Sequence, residues 1–273
     1  MGVVEIAERP MPAVEASGLG RSFGAIRAVD AIDLRVEQGE FFAFLGPNGA
    51  GKTTTIQMLC TLRRPSEGSA LVNGFDVVSQ GPLVRSSIGI VFQESTLDDY
   101  LTAEQNLRYH CLIYHVPKDE REERIDDVLG LVELRERRRD SVRTFSGGMK
   151  RRLEVARALL HEPAVLFLDE PTTGLDPQTR RYLWEHLTRL RDEISLTLFL
   201  TTHYLAEAEE ADRVAVIDHG RIIAEGTPSE LRDASGSESL EDAFVALTGG
   251  DMRREEASSR ERIASARRGR PRL

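Results

Sequence analysis

The run Gly46-Pro47-Asn48-Gly49-Ala50-Gly51-Lys52-Thr53 has the spacing GxxxxGK[ST] of a phosphate-binding loop. Its glycines permit backbone angles that turn successive N–H groups inward around phosphate oxygens, and a helix starting there adds the positive pole of its dipole. Lys52 supplies a full positive charge for the β- and γ-phosphates of a nucleoside triphosphate, the Thr53 hydroxyl can ligate Mg2+, and Thr54 carries the cradle into the helix. A second element, Ala164-Val165-Leu166-Phe167-Leu168-Asp169-Glu170, is an apolar run ending in two carboxylates. Buried parallel strands deliver their last residues to the carboxyl edge of a sheet, where α/β folds bind ligands. Asp169 is then expected to hold Mg2+ through water, and Glu170 to orient or deprotonate the attacking water. The third element, Phe145-Ser146-Gly147-Gly148-Met149, precedes a helix. Its backbone N–H groups and the Ser146 hydroxyl offer another anion site.

These groups can meet only if strands and helices alternate around them. Phe41 to Leu45 is continuously apolar, as a strand buried on both faces should be, and runs straight into the glycine-rich turn. A helix follows with Ile56, Leu59 and Cys60 on one side. Upstream, Ile32, Leu34 and Val36 alternate with Asp33, Arg35 and Glu37, which predicts strands exposed on one face. Ser69 to Val77 and Ile88 to Gln93 read as short strands, and Ala103 to Val116, Arg121 to Leu134 and the stretch from Gly148 to Leu160 as helices. After Pro163 come the strand Ala164 to Leu168, a helix over Gln178 to Glu193, the strand Leu196 to Leu200 and a hairpin over Val214 to Ala224 turning at His219-Gly220. Thr227-Pro228-Ser229-Glu230 is a capping box that opens a short helix, and Leu240, Phe244 and Leu247 mark one face of a last amphipathic turn.

Composition narrows the classes. With 273 residues, 40% of them hydrophobic, the chain can bury a sizeable core. A formal net charge of -9 argues against a nucleic-acid partner, whose affinity comes largely from clustered Lys and Arg. Cys60 and Cys111 lack CxxC spacing and read as reduced core residues. No apolar run approaches the ~18–20 residues needed to span a bilayer, and the first residues lack the pattern of a secretory signal. Residues 251–273 hold eight Arg against four acids and almost no apolar anchor, so disorder is expected there, with weak attraction to anionic lipid as the sharper alternative.

The motifs and their order from about Val14 to Asp233 resemble the ATP-binding cassette (ABC) ATPase family. Ser146-Gly147-Gly148 resembles that family's signature, Gln93 its Q-loop glutamine, Gly174-Leu175-Asp176 its D-loop and His203 its switch histidine. Phe23 stands where the family stacks an aromatic on adenine. The resemblance implies an α/β fold: a P-loop NTPase core with a mixed, mainly parallel sheet, an antiparallel β subdomain and an inserted helical subdomain at about 95–160. It divides the chain into a flexible leader (1–12), an ATPase domain (13–234), a linker with a short helix (235–250) and the Arg-rich tail (251–273).

The same resemblance implies that Glu170, His203 and Gln93 serve hydrolysis and that Thr53, Asp169 and Gln93 serve Mg2+. ATP would lie on Phe23, the 46–54 loop, the 146–148 signature and Asp176. It implies a homodimer of ATPase subunits, bound to a separately encoded transmembrane permease at the cytoplasmic face of the membrane. Met149 in the signature, where Gln is frequent, and the segment Glu238 to Gly250 are similar to the daunorubicin-resistance-like exporter branch. The alternative is a soluble ABC ATPase acting on a macromolecular machine without transport. Lys150-Arg151-Arg152 opposes the dipole at a helix start and is expected to face phosphate, an acidic partner or solvent.

Overall fold

The structure, a computed structural model, describes residues 11–249; the expectations for the 251–273 tail and for the first ten residues of the leader lie outside them. Antiparallel β1 (Val14–Phe23) and β2 (Ile26–Val36) precede β3 (Phe41–Leu45) and α1 (Lys52–Leu59). Next come β4 (Glu67–Val72), β5 (Phe75–Asp76), α2 (Gly81–Ser87) and β6 (Ile88–Val91). Helices α3 (Ala103–Ile113), α4 (Arg121–Leu131) and α5 (Gly147–Leu159) follow in succession. The chain then alternates through β7 (Val165–Asp169), α6 (Pro177–Ile194), β8 (Thr197–Thr202), the single turn α7 (Leu205–Ala208), β9 (Arg213–Asp218) and β10 (Arg221–Gly226). It closes on α8 (Pro228–Ser235) and α9 (Leu240–Thr248).

Two sheets result. One is antiparallel in the order β2-β1-β4-β5; the other runs β10-β9-β3-β8-β7-β6 and is parallel except for the β9–β10 hairpin. The continuous apolar strands are central to the second sheet because both of its faces are covered. On one face Phe41, Ala43, Leu45, Leu166, Leu168, Leu198 and Leu200 pack with residues of α3, α4, α5 and α6. On the other, Phe42, Phe44, Val165, Phe167 and Phe199 join Ile56 and Met58 of α1 and the inner residues of the antiparallel sheet. That sheet has one buried face, so Ile32, Leu34 and Val36 point inward and their polar neighbours outward, as the alternation predicts.

Local signals decide where helices begin. Thr102 and Gln105 form a capping box on α3, Thr227 and Glu230 one on α8, and the hydroxyl of Ser146 accepts from the Met149 N–H to cap α5. Helix α2 is an addition to the sequence reading: its seven residues are too few for a clear helical period. Cys60 and Cys111 are buried free thiols, as expected, and burial pushes both thiol pKa values up.

Phe199 touches Phe42, Phe44 and Phe167 at ring-centroid distances of 5.2–6.0 Å, joining three strands on one face of the parallel sheet. Phe199→Ala is expected to destabilise the fold by about 3–5 kcal/mol, read as a lower urea midpoint at unchanged slope.

Candidate active site

Three loops that leave the parallel sheet at its carboxyl edge, after β3, β7 and β8, carry most of the site, and a fourth, after β6, carries Gln93. The first wraps into the cradle. A Cβ on Gly46 would come within 2.3 Å of the Ile217 carbonyl oxygen, and one on Gly51, whose φ is +111°, within 2.5 Å of that of Ala28. Only glycine fits those two places. The cavity beside the loop, about 340 Å3, is lined by Ala28, Asn48, Gly49, Gly51, Lys52, Thr53, Thr54, Gln93 and Glu170. Pro47 contributes a carbonyl: Lys52 Nζ donates to the Pro47 oxygen at 3.1 Å and to that of Gly46 at 2.9 Å. Ala50, buried, packs within the second core cluster, so it braces the loop.

The second loop brings the carboxylates. Asp169 Oδ1 accepts from the Thr53 hydroxyl at 3.2 Å and from the Thr201 hydroxyl at 2.6 Å. Burial pushes its pKa up against the pull of these two donors, so the ionised form is short of positive charge. A hydroxyl and a carboxylate are hard oxygen donors of the kind Mg2+ takes, alongside substrate phosphates, and a cation there would relieve the burial cost. Glu170 follows at a φ of +46°, turned out of the strand line. Its Oε1 lies 3.3 Å from Lys52 Nζ, and its Oε2 is 3.5 Å from Gln93 Nε2 and 3.2 Å from His203 Nδ1. The His203 approach is within ion-pair range, but its angle does not make a hydrogen bond. Burial raises the Glu170 pKa, yet the neighbouring His203 ring and the Lys52 charge outweigh it and hold the group down at about 2.

Lys52, Asp169, Glu170, Gln93 and His203 therefore converge, together with Thr53, and Thr54 lines the same cavity. Ser146 and Gly148 do not join them. They line a separate cavity of about 270 Å3 with Glu133, Met149, Arg152, Thr179, Tyr182 and Leu183. Gly147, between them, approaches Leu175 of the next loop: a Cβ there would lie 3.7 Å from its side chain. Asp176 caps α6 by accepting from the Thr179 N–H at 3.0 Å and its hydroxyl at 2.6 Å, which places it beside the signature rather than the phosphate loop. Phe23 is 39% exposed at the end of β1, and the guanidinium carbons of Arg21 and Arg63 lie 4.9 and 5.0 Å from its ring centroid. Its π-system is thus engaged by cations rather than packed in the core.

The basic trio after the signature departs from expectation. Arg151 is 5% exposed and donates to the carbonyls of Phe92, Glu170 and Pro171, with Glu154 as its charged partner at 2.9 Å. Lys150 pairs with Asp99 at 2.6 Å, and Arg152 donates to the Val132 carbonyl at 2.9 Å. All three make internal ties, and Arg152 also lines the signature cavity. Sequence reasoning also passed over Thr201 and Glu207. A threonine closing a strand and an acid in an Ala-rich turn carry no spacing that would mark them.

The fold and site define a phosphate-loop ATPase of the cassette type. The sequence pattern of the ABC transporter family matches residues 29–173. A relative, the daunorubicin/doxorubicin resistance ATP-binding protein of Streptomyces peucetius, is 46% identical over 85% of this chain and 70% of its own length. Among solved structures, an ATP-binding subunit of an ABC transporter superposes with a TM-score of 0.77 at 30% identity, covering 86% of this chain and 99% of that one. A dimeric post-hydrolysis cassette bound to ADP and phosphate superposes at 0.70 with 26% identity, covering 78% and 98%. The chain belongs to the ABC transporter family: it is a nucleotide-binding ATPase and the ATP-binding subunit of an ABC exporter, not a machine without transport.

The lowered Glu170 pKa has a consequence for stability. Because the native value lies below the ordinary 4.5, the ionised carboxylate stabilises the fold above that pH, and the contribution is lost as pH falls toward about 2. Between those limits the unfolding free energy of the native chain should fall more steeply with acid than that of Glu170→Gln, as measured by urea titration at stepped pH.

Proposed function

We propose that Lys52, Asp169, Glu170, Gln93 and His203 form the hydrolytic half of a composite site, completed by Ser146, Gly147 and Gly148 of a second copy of the chain. The observation that carries this reading is the separation within one chain: the hydrolytic groups line one cavity and the signature another. Two copies related by a two-fold axis would bring each signature to the other's phosphate loop, giving two equivalent sites. Asp176, held next to the signature by the cap on α6, would travel with it to that interface.

Lys52 binds the β- and γ-phosphates in this reading, exchanging the loop carbonyls and Glu170 for phosphate oxygens. Thr53, Asp169 and Gln93 would hold Mg2+, which supplies charge neutralisation between phosphates when bound. Glu170 orients the attacking water. With its pKa at about 2 beside Lys52 it is ionised and a weak base, and transfer of Lys52 to phosphate raises its basicity at the step that needs it. His203 fixes the carboxylate from the far side, and Phe23 offers its ring to the adenine once a guanidinium gives way. Binding that closes the pair and hydrolysis that reopens it would do work on a membrane partner through the difference in ATP affinity between the two states.

That partner is a separately encoded permease, and the chain sits peripherally on the cytoplasmic face of the membrane. Among the described residues no helix is long and apolar enough to cross a bilayer. Export of a drug is the transport role proposed, in line with the daunorubicin and doxorubicin resistance named for the Streptomyces relative. Co-purification with a multi-span membrane protein tests the assembly; recovery of the chain alone from membranes stripped gently would count against it.

Glu170→Gln should keep ATP binding, accumulate the closed dimer on gel filtration and lose about 100-fold or more of its turnover. Normal steady-state hydrolysis by that variant would remove Glu170 from the mechanism. Lys52→Ala should weaken ATP binding on the order of tenfold, the worth of one contact to a charged group; calorimetry showing unchanged affinity would contradict the cradle.

A further inference from the structure

Glu207 is 1% exposed and lines neither of the two cavities. Its Oε1 accepts from the Thr172 hydroxyl and its Oε2 from the Thr202 hydroxyl at 2.5 Å. The Thr202 oxygen in turn accepts from the Tyr204 N–H at 2.8 Å. Thr172 lies two residues after Glu170, and Thr202 immediately before His203. One buried carboxylate therefore stitches the loop that carries Glu170 to the loop that carries His203. Burial lowers the Arg151 pKa against the opposing charges of Glu154, Asp169 and Glu207, and Arg151 itself donates to the Glu170 and Pro171 carbonyls.

The tie has work to do because α7 is a single turn of four residues. Such a turn has almost no helical stability of its own, so tertiary bonds must set its place. A carboxylate is the one side chain here that satisfies both hydroxyls as an acceptor. An apolar residue would leave two buried donors unmatched, and an amide could accept only one with its oxygen.

We infer that Glu207 is a positioning residue for hydrolysis: by fixing Thr172 and Thr202 it sets the His203 ring against the Glu170 carboxylate. The inference rests on the roles of Glu170 and His203 proposed above. It separates catalysis from binding, since neither threonine belongs to the phosphate loop, whose contacts to the nucleotide should be left alone.

Steady-state ATPase assays and calorimetric ATP binding on the full chain test it. Glu207→Ala should lower kcat by about 100-fold, the cost of a displacement near 1 Å, with Kd for ATP changed less than about threefold. Glu207→Gln, which can accept from one hydroxyl and donate to the other, should recover activity to within about tenfold of the native chain. If Glu207→Ala does not fold, Thr202→Val carries the test: it keeps the shape, removes one partner and should lower kcat by about tenfold or more at constant Kd. Full activity in Glu207→Ala, a parallel loss of ATP affinity, or failure of the Gln variant to recover would each overturn the positioning role. A native chain without turnover would overturn the hydrolytic reading itself, so the two failures are distinguishable.

Discussion

A lysine and two carboxylates shut away from water at one edge of a parallel sheet are the constraint around which this protein is organised. Lys52, Asp169 and Glu170 are between 4% and 8% exposed. An ion buried without a partner costs several kcal/mol, so each must be matched. The matching sets the geometry. Lys52 spans from the β3 loop to Glu170, Thr53 and Thr201 converge on Asp169, and Gln93 and His203 close on Glu170. Four loops, after β3, β6, β7 and β8, are held together by these contacts.

The sheet makes this possible because its strands are buried on both faces. Phe42, Phe44, Phe167 and Phe199 on one side and Leu45, Leu168 and Leu200 on the other leave little freedom in register. Arg151 extends the fixation to the helical layer: its donors reach the end of β6 through Phe92 and the end of β7 through Glu170 and Pro171. A shift of α5, and of the signature at its start, would be felt at both the Gln93 loop and the Glu170 loop.

How much of this could be read from sequence follows from what kind of signal each feature leaves. The phosphate loop, the buried strands and the Thr227–Glu230 capping box are local, and the structure places them where spacing and periodicity put them. Gln93, Asp176 and His203 are single residues with no local pattern, and only resemblance to a family picked them out. Arg151 and Glu207 left nothing to find. A buried charge is defined by what surrounds it in space, and Phe92, Glu170 and Pro171 are remote from Arg151 along the chain. The sequence reading sent Arg151 toward phosphate, an acidic partner or solvent for the same reason: charge at a helix start is a surface pattern unless the tertiary fold supplies carbonyls to receive it.

The signature lies apart from the phosphate loop, in a cavity of its own. Ser146 caps α5 with its hydroxyl, and Asp176 caps α6 with its carboxylate, so both side chains already have a local bond. Such a surface is stable unaccompanied, in contrast to the buried cluster at the sheet edge. A second chain could therefore approach and leave it without unfolding either partner. The reversible closure proposed above would draw on that contrast: one half of the site held rigid by burial, the other a face whose two side-chain caps are local.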